Sequence, residues 1–310
     1  MSLAKHRIFK AEVWQMNEKV EKPVLNYCAT LGSLTGYGGK KRKEWSIKKK
    51  LKVIKEAGFT GFVGRTAFVT PDHVHKSGLL FACTTDLGGV REIRPKLNEI
   101  KATGAKVVNV QMLDHNTPTK RAVEVAQRLM GFAEESNMDV SIEVHRDTCT
   151  ETPEKTYALA EGFERLEKRK LKLTWDFSHP AIIKHLSPPY WNRLAERPDL
   201  IQFSNQFHFR PFNGHHAQIP ALDSSGKYTP EFDDWLDFAE CVFACWLSSA
   251  EPGREIFVCP EQIAGGYHIS VFGDRWKDVL AIKKALNKIW KRQLRFWEDT
   301  HLKLHPVGPN

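Results

Sequence analysis

The sequence predicts an α/β fold, a single-domain (β/α)8 barrel of eight parallel strands and crossover helices, on three observations. Short β-like runs alternate with longer runs of helical periodicity through the whole chain, the pattern of a parallel sheet covered by helices. A length of 310 residues, 41% hydrophobic and 27% charged, supplies one large core, and barrels of this kind exceed about 250 residues as one domain. Acid and imidazole side chains close the last four β-like runs in the order Glu, Asp, His, Glu, at the strand ends where such barrels carry their chemistry.

Taken in order, the β-like runs are 24–31, 59–64, 79–84, 106–112, 139–145, 171–177, 200–209 and 255–259. Helical patterns fill 44–57, 90–103, 118–136, 153–168, 188–196, 230–248 and 275–298. The stretch FVTPDHVHKSG within 65–77 reads as a loop or a short turn of helix. The domain spans 1–310, with 1–20 and 299–310 read as terminal extensions.

A net charge of +9 raises the question of nucleic acid. The basic residues crowd into 40–55, 164–173 and 283–295, where they interrupt apolar side chains at helical spacing, such as Leu51, Ile54 and Ala57, or Leu286, Ile289, Trp290 and Leu294. These are solvated faces of amphipathic helices, so no nucleic-acid partner is expected. No GxxxxGKS/T or GxGxxG stretch points to a nucleotide. No apolar run reaches the ~18 residues of a membrane span, and the start MSLAKHRIFK lacks a signal-like apolar stretch, so a cytosolic protein without a membrane partner is expected. The six cysteines show no CxxC spacing; reduced thiols and no structural zinc are expected. A homo-oligomer is compatible with all of this.

The four chemical candidates are Glu143 in SIEVH, Asp176 in LTWDFSH, His208 in NQFHFR and Glu261 in FVCPEQ. Side chains alternate along a strand, so Glu143 shares a face with Ser141 and His145, Asp176 with Thr174, His208 with Gln206 and Ser204, and Glu261 with Cys259. Val144, Trp175, Phe207 and Phe209 then face the helices. Three carboxylates and one imidazole gathered at the barrel mouth would hold one divalent metal ion, Mn, Mg, Co or Zn. A ligand imidazole must be neutral, and with an unperturbed pKa of about 6.5 metal affinity is expected to fall as pH drops through about 6.

With His179 three residues after Asp176, this ordered set resembles the xylose isomerase-like superfamily of TIM barrels, nearest to sugar phosphate isomerases and epimerases of the D-tagatose 3-epimerase and inosose dehydratase branch. The resemblance covers the barrel from about residue 100 onward. It implies that Glu143, Asp176, His208 and Glu261 bind the metal and that His179 contacts the substrate. The epimerases carry an arginine a few residues past the strand-seven histidine; here Gly214, His215 and His216 stand in that stretch, and Arg210 is the substitute offered. Endonuclease IV, a relative with three zinc ions, needs further ligands on the early strands, where only His73, His75 and His115 are available.

A small-molecule sugar substrate follows from that resemblance. Loss of a sugar proton beside a carbonyl needs the enediolate to be stabilised by charge, which a divalent ion provides, and Glu143 and Glu261 are the expected catalytic carboxylates on either side of the sugar. Asp176 and His208 hold the ion. Candidate substrate contacts are His179, Arg210, His145, His216 and Gln111, with DHNTPT after strand four also readable as a helix cap. Trp14, Tyr37 and Phe68 offer stacking or packing. Three functions remain open: a metal-dependent isomerase or epimerase, a lyase or dehydratase acting on a keto-glycoside or inosose, and a barrel that binds sugar without catalysis.

Overall fold

A computed structural model of the chain describes residues 21–38 and 44–304. Eight parallel strands close into a barrel in sequence order: β1 Val24–Thr30, β2 Gly61–Gly64, β3 Leu80–Leu87, β4 Val107–Met112, β5 Val140–Val144, β6 Leu173–Trp175, β7 Gln206–Phe209 and β8 Glu255–Pro260. Closure runs through β1 and β8, with Val24 opposite Glu255 and Tyr27 opposite Val258. The helices are α1 Ile47–Glu56, α2 Pro71–Ser77, α3 Val90–Ala102, α4 Thr119–Glu135, α5 Pro153–Glu167, α6 Ser178–Ile183, α7 Trp191–Leu194, α8 Pro198–Phe203, α9 Pro230–Leu247 and α10 Arg275–Leu304.

Local chemistry explains where the helices start. Thr70–Pro71, Thr152–Pro153 and Thr229–Pro230 open α2, α5 and α9, each threonine hydroxyl accepting from a backbone N–H three residues on while the proline occupies a position whose N–H has no helical partner. In α1, Ser46 caps Lys49, and Leu51 and Ile54 are buried one turn apart while Lys48, Lys49 and Lys52 stay exposed. The part of the first basic run in α1 therefore lies on a helix with an apolar inner face, and the run 283–295 lies in α10 with Leu286, Ile289 and Trp290 buried. Lys168, Arg169, Lys170 and Lys172 of the second run instead follow the end of α5, and 40–43 lie outside the described residues.

The barrel interior is layered. At its lower level Cys28, Val63, Ala82, Val107, Phe257 and Cys259 pack together. Above them Ser141 and Thr174 hydroxyls meet at 2.5 Å, and Gln206 Nε2 donates to Ser141 Oγ at 2.6 Å and to the Val108 carbonyl at 3.2 Å. Side chains two residues further along β5, β6 and β7 are Glu143, Asp176 and His208, so the alternation of the strands delivers the chemistry to one level of the mouth. Outside, Trp175 stacks on Phe177 at 4.9 Å and Phe207 on Phe209 at 5.9 Å beneath α9, whose Trp235 and Trp246 are fully buried.

The structure departs from the sequence reading in four places. The run 200–209 is not one strand: 198–203 is helical and β7 begins at Gln206. Pro198 at the first turn and the buried pair Leu200 and Ile201 suit a short helix, and an apolar run of this length has no periodicity to tell the two apart. Ser204 consequently leaves the interior face and accepts from Trp175 Nε1 at 3.0 Å on the outside. Only Trp191–Leu194 of 188–196 is helical, whereas 178–183, assigned to no element in the sequence, forms α6 directly after Asp176. At the end, α10 continues through Leu304, past the point at 299 where the extension was expected; residues 1–20 lie outside the described ones. All six cysteines are unpaired.

Candidate active site

Glu143 stands at the penultimate position of β5 and is 1% exposed. Its Oε2 accepts from Asn109 Nδ2 at 2.7 Å and from Gln111 Nε2 at 2.8 Å, both from β4, while Oε1 lies 2.9 Å from His208 Nδ1. Asp176 follows β6, and its Oδ1 accepts from the Ser178 backbone N–H at 3.1 Å and the Ser178 hydroxyl at 2.6 Å. Its Oδ2 is buried and takes no well-directed hydrogen bond, although Arg210 Nη2 is 3.2 Å away and His179 Nε2 3.3 Å. Glu261 follows β8; its Oε2 is 2.7 Å from Arg210 Nη2 and 3.8 Å from His208 Nδ1.

Arg210 is the least expected member of this group. Two residues past His208 on the same face, it is 3% exposed and bridges Glu261 and Asp176 through one nitrogen. Tyr267 covers its guanidinium at 4.2 Å, and its Nε and Nη1 are buried with no partner. The charges account for the protonation of the cluster. Burial alone would raise Glu143, but His208 holds it down to about 2. Burial would likewise lower His208, yet Glu143, Glu261 and Asp176 together push it up to about 9. Asp176 is held well below the usual carboxylate range against its own burial by Arg210 and His179.

The sequence-predicted residues divide between two chambers. Glu143, His208, Glu261, Arg210, Gln111 and His145 line a cavity of about 900 Å3 at the C-terminal ends of the strands. His179 and His216 line a smaller side chamber of about 420 Å3, with Arg146 and Tyr267 on the wall common to both. His216 is exposed, with its backbone N–H on Asn213 Oδ1 at 2.8 Å, so it is not brought to the acid cluster. His179 touches the cluster from behind, through Asp176 and by packing on the His145 ring at 4.3 Å. Gln111 reaches Glu143, and the segment after β4 supplies no side-chain cap to α4, whose N-cap position is Pro118; Asp114 instead accepts from the Asn116 N–H at 2.9 Å within the loop. His73 caps α2 and His75 lies on the same helix, and neither lines the large cavity. Phe68 stands at the cavity rim, 64% exposed, whereas Tyr37 donates to Asp274 at 2.6 Å and ties the start of α10. Trp14 is outside the described residues.

Four residues escaped sequence reasoning. Asn109 sits two before Gln111 on β4, so strand alternation around Gln111 was the available signal. Arg65, Arg146 and Tyr267 come from loops far apart in sequence, and nothing local marks them.

The donor set fits a divalent ion. One ligand atom from each of Glu143, Asp176 and His208 lies within 4.8 Å of the other two, and ligands around a common ion at about 2.0 to 2.6 Å are separated by no more than about 5 Å. The orphaned Oδ2 of Asp176 points to the same conclusion, because a buried carboxylate oxygen needs a compensating partner. Glu261 stands outside this trio, on Arg210.

No protein-family model matches this sequence, and no curated protein matches it. Among solved structures the chain resembles apo 3-keto-D-glucoside 4-epimerase YcjR from E. coli, with TM-score 0.53 and 14% identity over 85% of this chain and 99% of that one. It resembles equally the probable 3-DHS dehydratase AsbF from Bacillus anthracis, with TM-score 0.53 and 14% identity over 84% and 97% of the two chains. At such identity these likenesses establish the architecture. The protein is a (β/α)8 barrel of a shape shared with a sugar epimerase and a dehydratase, with a buried acid, histidine and arginine cluster at the C-terminal ends of its strands.

Proposed function

We propose that the protein is a divalent-metal-dependent isomerase or epimerase of a monosaccharide or keto-sugar. The observation that supports this reading is the trio Glu143, Asp176 and His208, gathered with Glu261 at one level of a cavity large enough for such a substrate. The names of the two structural neighbours agree with chemistry beside a carbonyl.

In this reading Glu143, Asp176 and His208 hold the ion. A bound Mn2+, Mg2+, Co2+ or Zn2+ supplies positive charge to oxygens of the substrate. The chain's own groups do the rest. Glu261 and Glu143 exchange the proton beside the carbonyl; Oε2 of Glu143 is held by two amide donors, which fixes the direction of its carboxylate. Arg210 carries two donor nitrogens without acceptors, Nε and Nη1, and these meet a substrate oxygen on which negative charge develops. Gln111 and His145 line the same cavity as further contacts. A lyase or dehydratase would use the same proton removal and then expel a β-leaving group.

The test is a screen of sugars and keto-sugars with Mn2+ in D2O, followed by NMR. Deuterium entering the carbon beside the carbonyl, with a new epimer or isomer appearing, is the expected result. Deuterium uptake with loss of water or an aglycone would reassign the protein to the lyase reading. Absence of exchange in every sugar class would leave only the non-catalytic barrel.

A further inference from the structure

The sequence places four potential ligands around one ion, but the structure gives the fourth a different partner. Glu261 Oε2 lies 2.7 Å from Arg210 Nη2, and the same nitrogen is 3.2 Å from Asp176 Oδ2. Glu143, Asp176 and His208 meet the spacing of a shared ion, whereas Glu261 does not join them. Resting on the metal-binding reading above, we propose that Arg210 is a positioning residue that splits the quartet into a three-ligand metal set, Glu143, Asp176 and His208, and an unliganded carboxylate, Glu261, held ready for proton transfer.

Three features of the chain favour this division. Arg210 is almost wholly removed from solvent, so taking Glu261 from it would leave a buried cation short of a partner. Tyr267 lies over the guanidinium at 4.2 Å and restricts its plane, so the arginine does not swing freely out of the cluster. The charge also balances: with His208 neutral, the three carboxylates are matched by a divalent ion and one guanidinium, and the site starts neutral before negative charge develops on the substrate. A cage of the three carboxylates and the histidine without the arginine would start with an excess of negative charge. A carboxylate bound to a metal is also a weaker proton acceptor than one outside the coordination shell, so releasing Glu261 suits it to move a proton.

The division is read directly by the visible absorption of Co2+, whose bands follow ligand identity and geometry. The probe is Co2+ bound to the wild-type chain, to Glu261→Gln, to Asp176→Asn, to Arg210→Met and to the double variant of Glu261 and Arg210. The wild-type and Glu261→Gln spectra are expected to superimpose, while Asp176→Asn shifts or loses the bands. Removing the arginine is expected to let Glu261 reach the ion, so that Arg210→Met shifts the bands and adding Glu261→Gln restores the wild-type shape. Should Arg210→Met not fold, the comparison of Glu261→Gln with Asp176→Asn decides alone. A shift in Glu261→Gln as large as that in Asp176→Asn would overturn the division while leaving metal binding intact. Failure of the wild-type chain to take up Co2+ would overturn the metal reading itself, and the division with it.

Discussion

Gln111 stands between Arg65 and Glu143, donating Nε2 to Glu143 Oε2 at 2.8 Å and accepting at Oε1 from Arg65 Nη2 at 3.3 Å. Arg65 is in turn clamped by both oxygens of Asp86. The two contacts fix which end of the amide faces the carboxylate, and they extend the support of Glu143 out to the strand edge. Asn109 completes the arrangement from one pleat below, reaching the same oxygen at 2.7 Å.

This support leads to the first prediction. Partners one step removed from a metal ligand orient it, and their removal typically lowers metal affinity or activity about 10- to 100-fold. Asn109→Ala should therefore loosen Mn2+ or reduce turnover within that range while the far-ultraviolet circular dichroism is retained. An unchanged Mn2+ titration together with unchanged turnover would show that Glu143 does not depend on its amide neighbours.

The second prediction concerns pH. A ligand imidazole must be neutral, and His208 in the ion-free site is pushed up to about 9 by Glu143, Glu261 and Asp176. The pKa is raised, so below 9 the ion must displace a proton and affinity is reduced; above 9 no proton competes. Mn2+ affinity is thus expected to climb by up to about tenfold per pH unit from pH 6.5 to 9 and then to level off. The window lies higher than the pH 6 expected for an unperturbed histidine, because three carboxylates surround this one. A titration series that is flat above pH 7 would refute the raised value.

Much of this was legible in the sequence. The eight strands, their order and the level at which Glu143, Asp176, His208 and Glu261 emerge follow from a period of two on strands and the placement of acids at strand ends. The alternation also foretold Ser141, Thr174 and Gln206 as inward companions and Trp175 and Phe207 as outward ones. It failed at Ser204, since the helix α8 intervenes before β7 and the register of the face is lost there. The role of Arg210 was half visible: its spacing from His208 put it on the right face, but only the closed barrel brings β8 close enough for Glu261 to pair with it. Tyr267 and Arg146 were invisible because they meet across loops 121 positions apart, at 2.7 Å. His179 lies on α6 behind Asp176, lining the side chamber rather than the large cavity. With Asp176 as the proposed ligand, substitution of His179 by alanine should disturb metal content as well as turnover.

The third prediction addresses the loop after β7. A Cβ built on Gly214 would lie 2.0 Å from the carbonyl oxygen and 2.8 Å from the nitrogen of Leu186, both main-chain atoms that cannot rotate aside. Gly214→Ala must push the two segments apart, with a loss of about 1–3 kcal/mol, the range typical of forced overpacking. Urea denaturation checks this. A variant as stable as the parent would mean that the contact between this loop and the segment after α6 is not held closely.

The fourth prediction turns on Asp278 in the first turn of α10. Its Oδ1 accepts from the Leu222 N–H at 3.1 Å, whereas Oδ2 is buried with no partner, and burial pushes its pKa up to about 6 from an ordinary 3.8. Because the folded value lies above the unfolded one, the folded state binds the proton more tightly between these limits. The stability that Asp278 contributes in its protonated form is therefore complete below about pH 4 and is lost as pH rises through 6. Asp278→Asn keeps an oxygen for Leu222 and removes the charge. The variant should unfold at higher urea than the parent at pH 8, by something on the order of 1 kcal/mol after allowance for solvent screening, and the difference should shrink as pH falls toward 4. The Asn side chain adds two N–H donors, so a constant offset at all pH values is compatible with altered hydrogen bonding; a difference that does not change between pH 4 and pH 8 would show that the carboxyl of Asp278 does not titrate with a raised pKa in the folded protein.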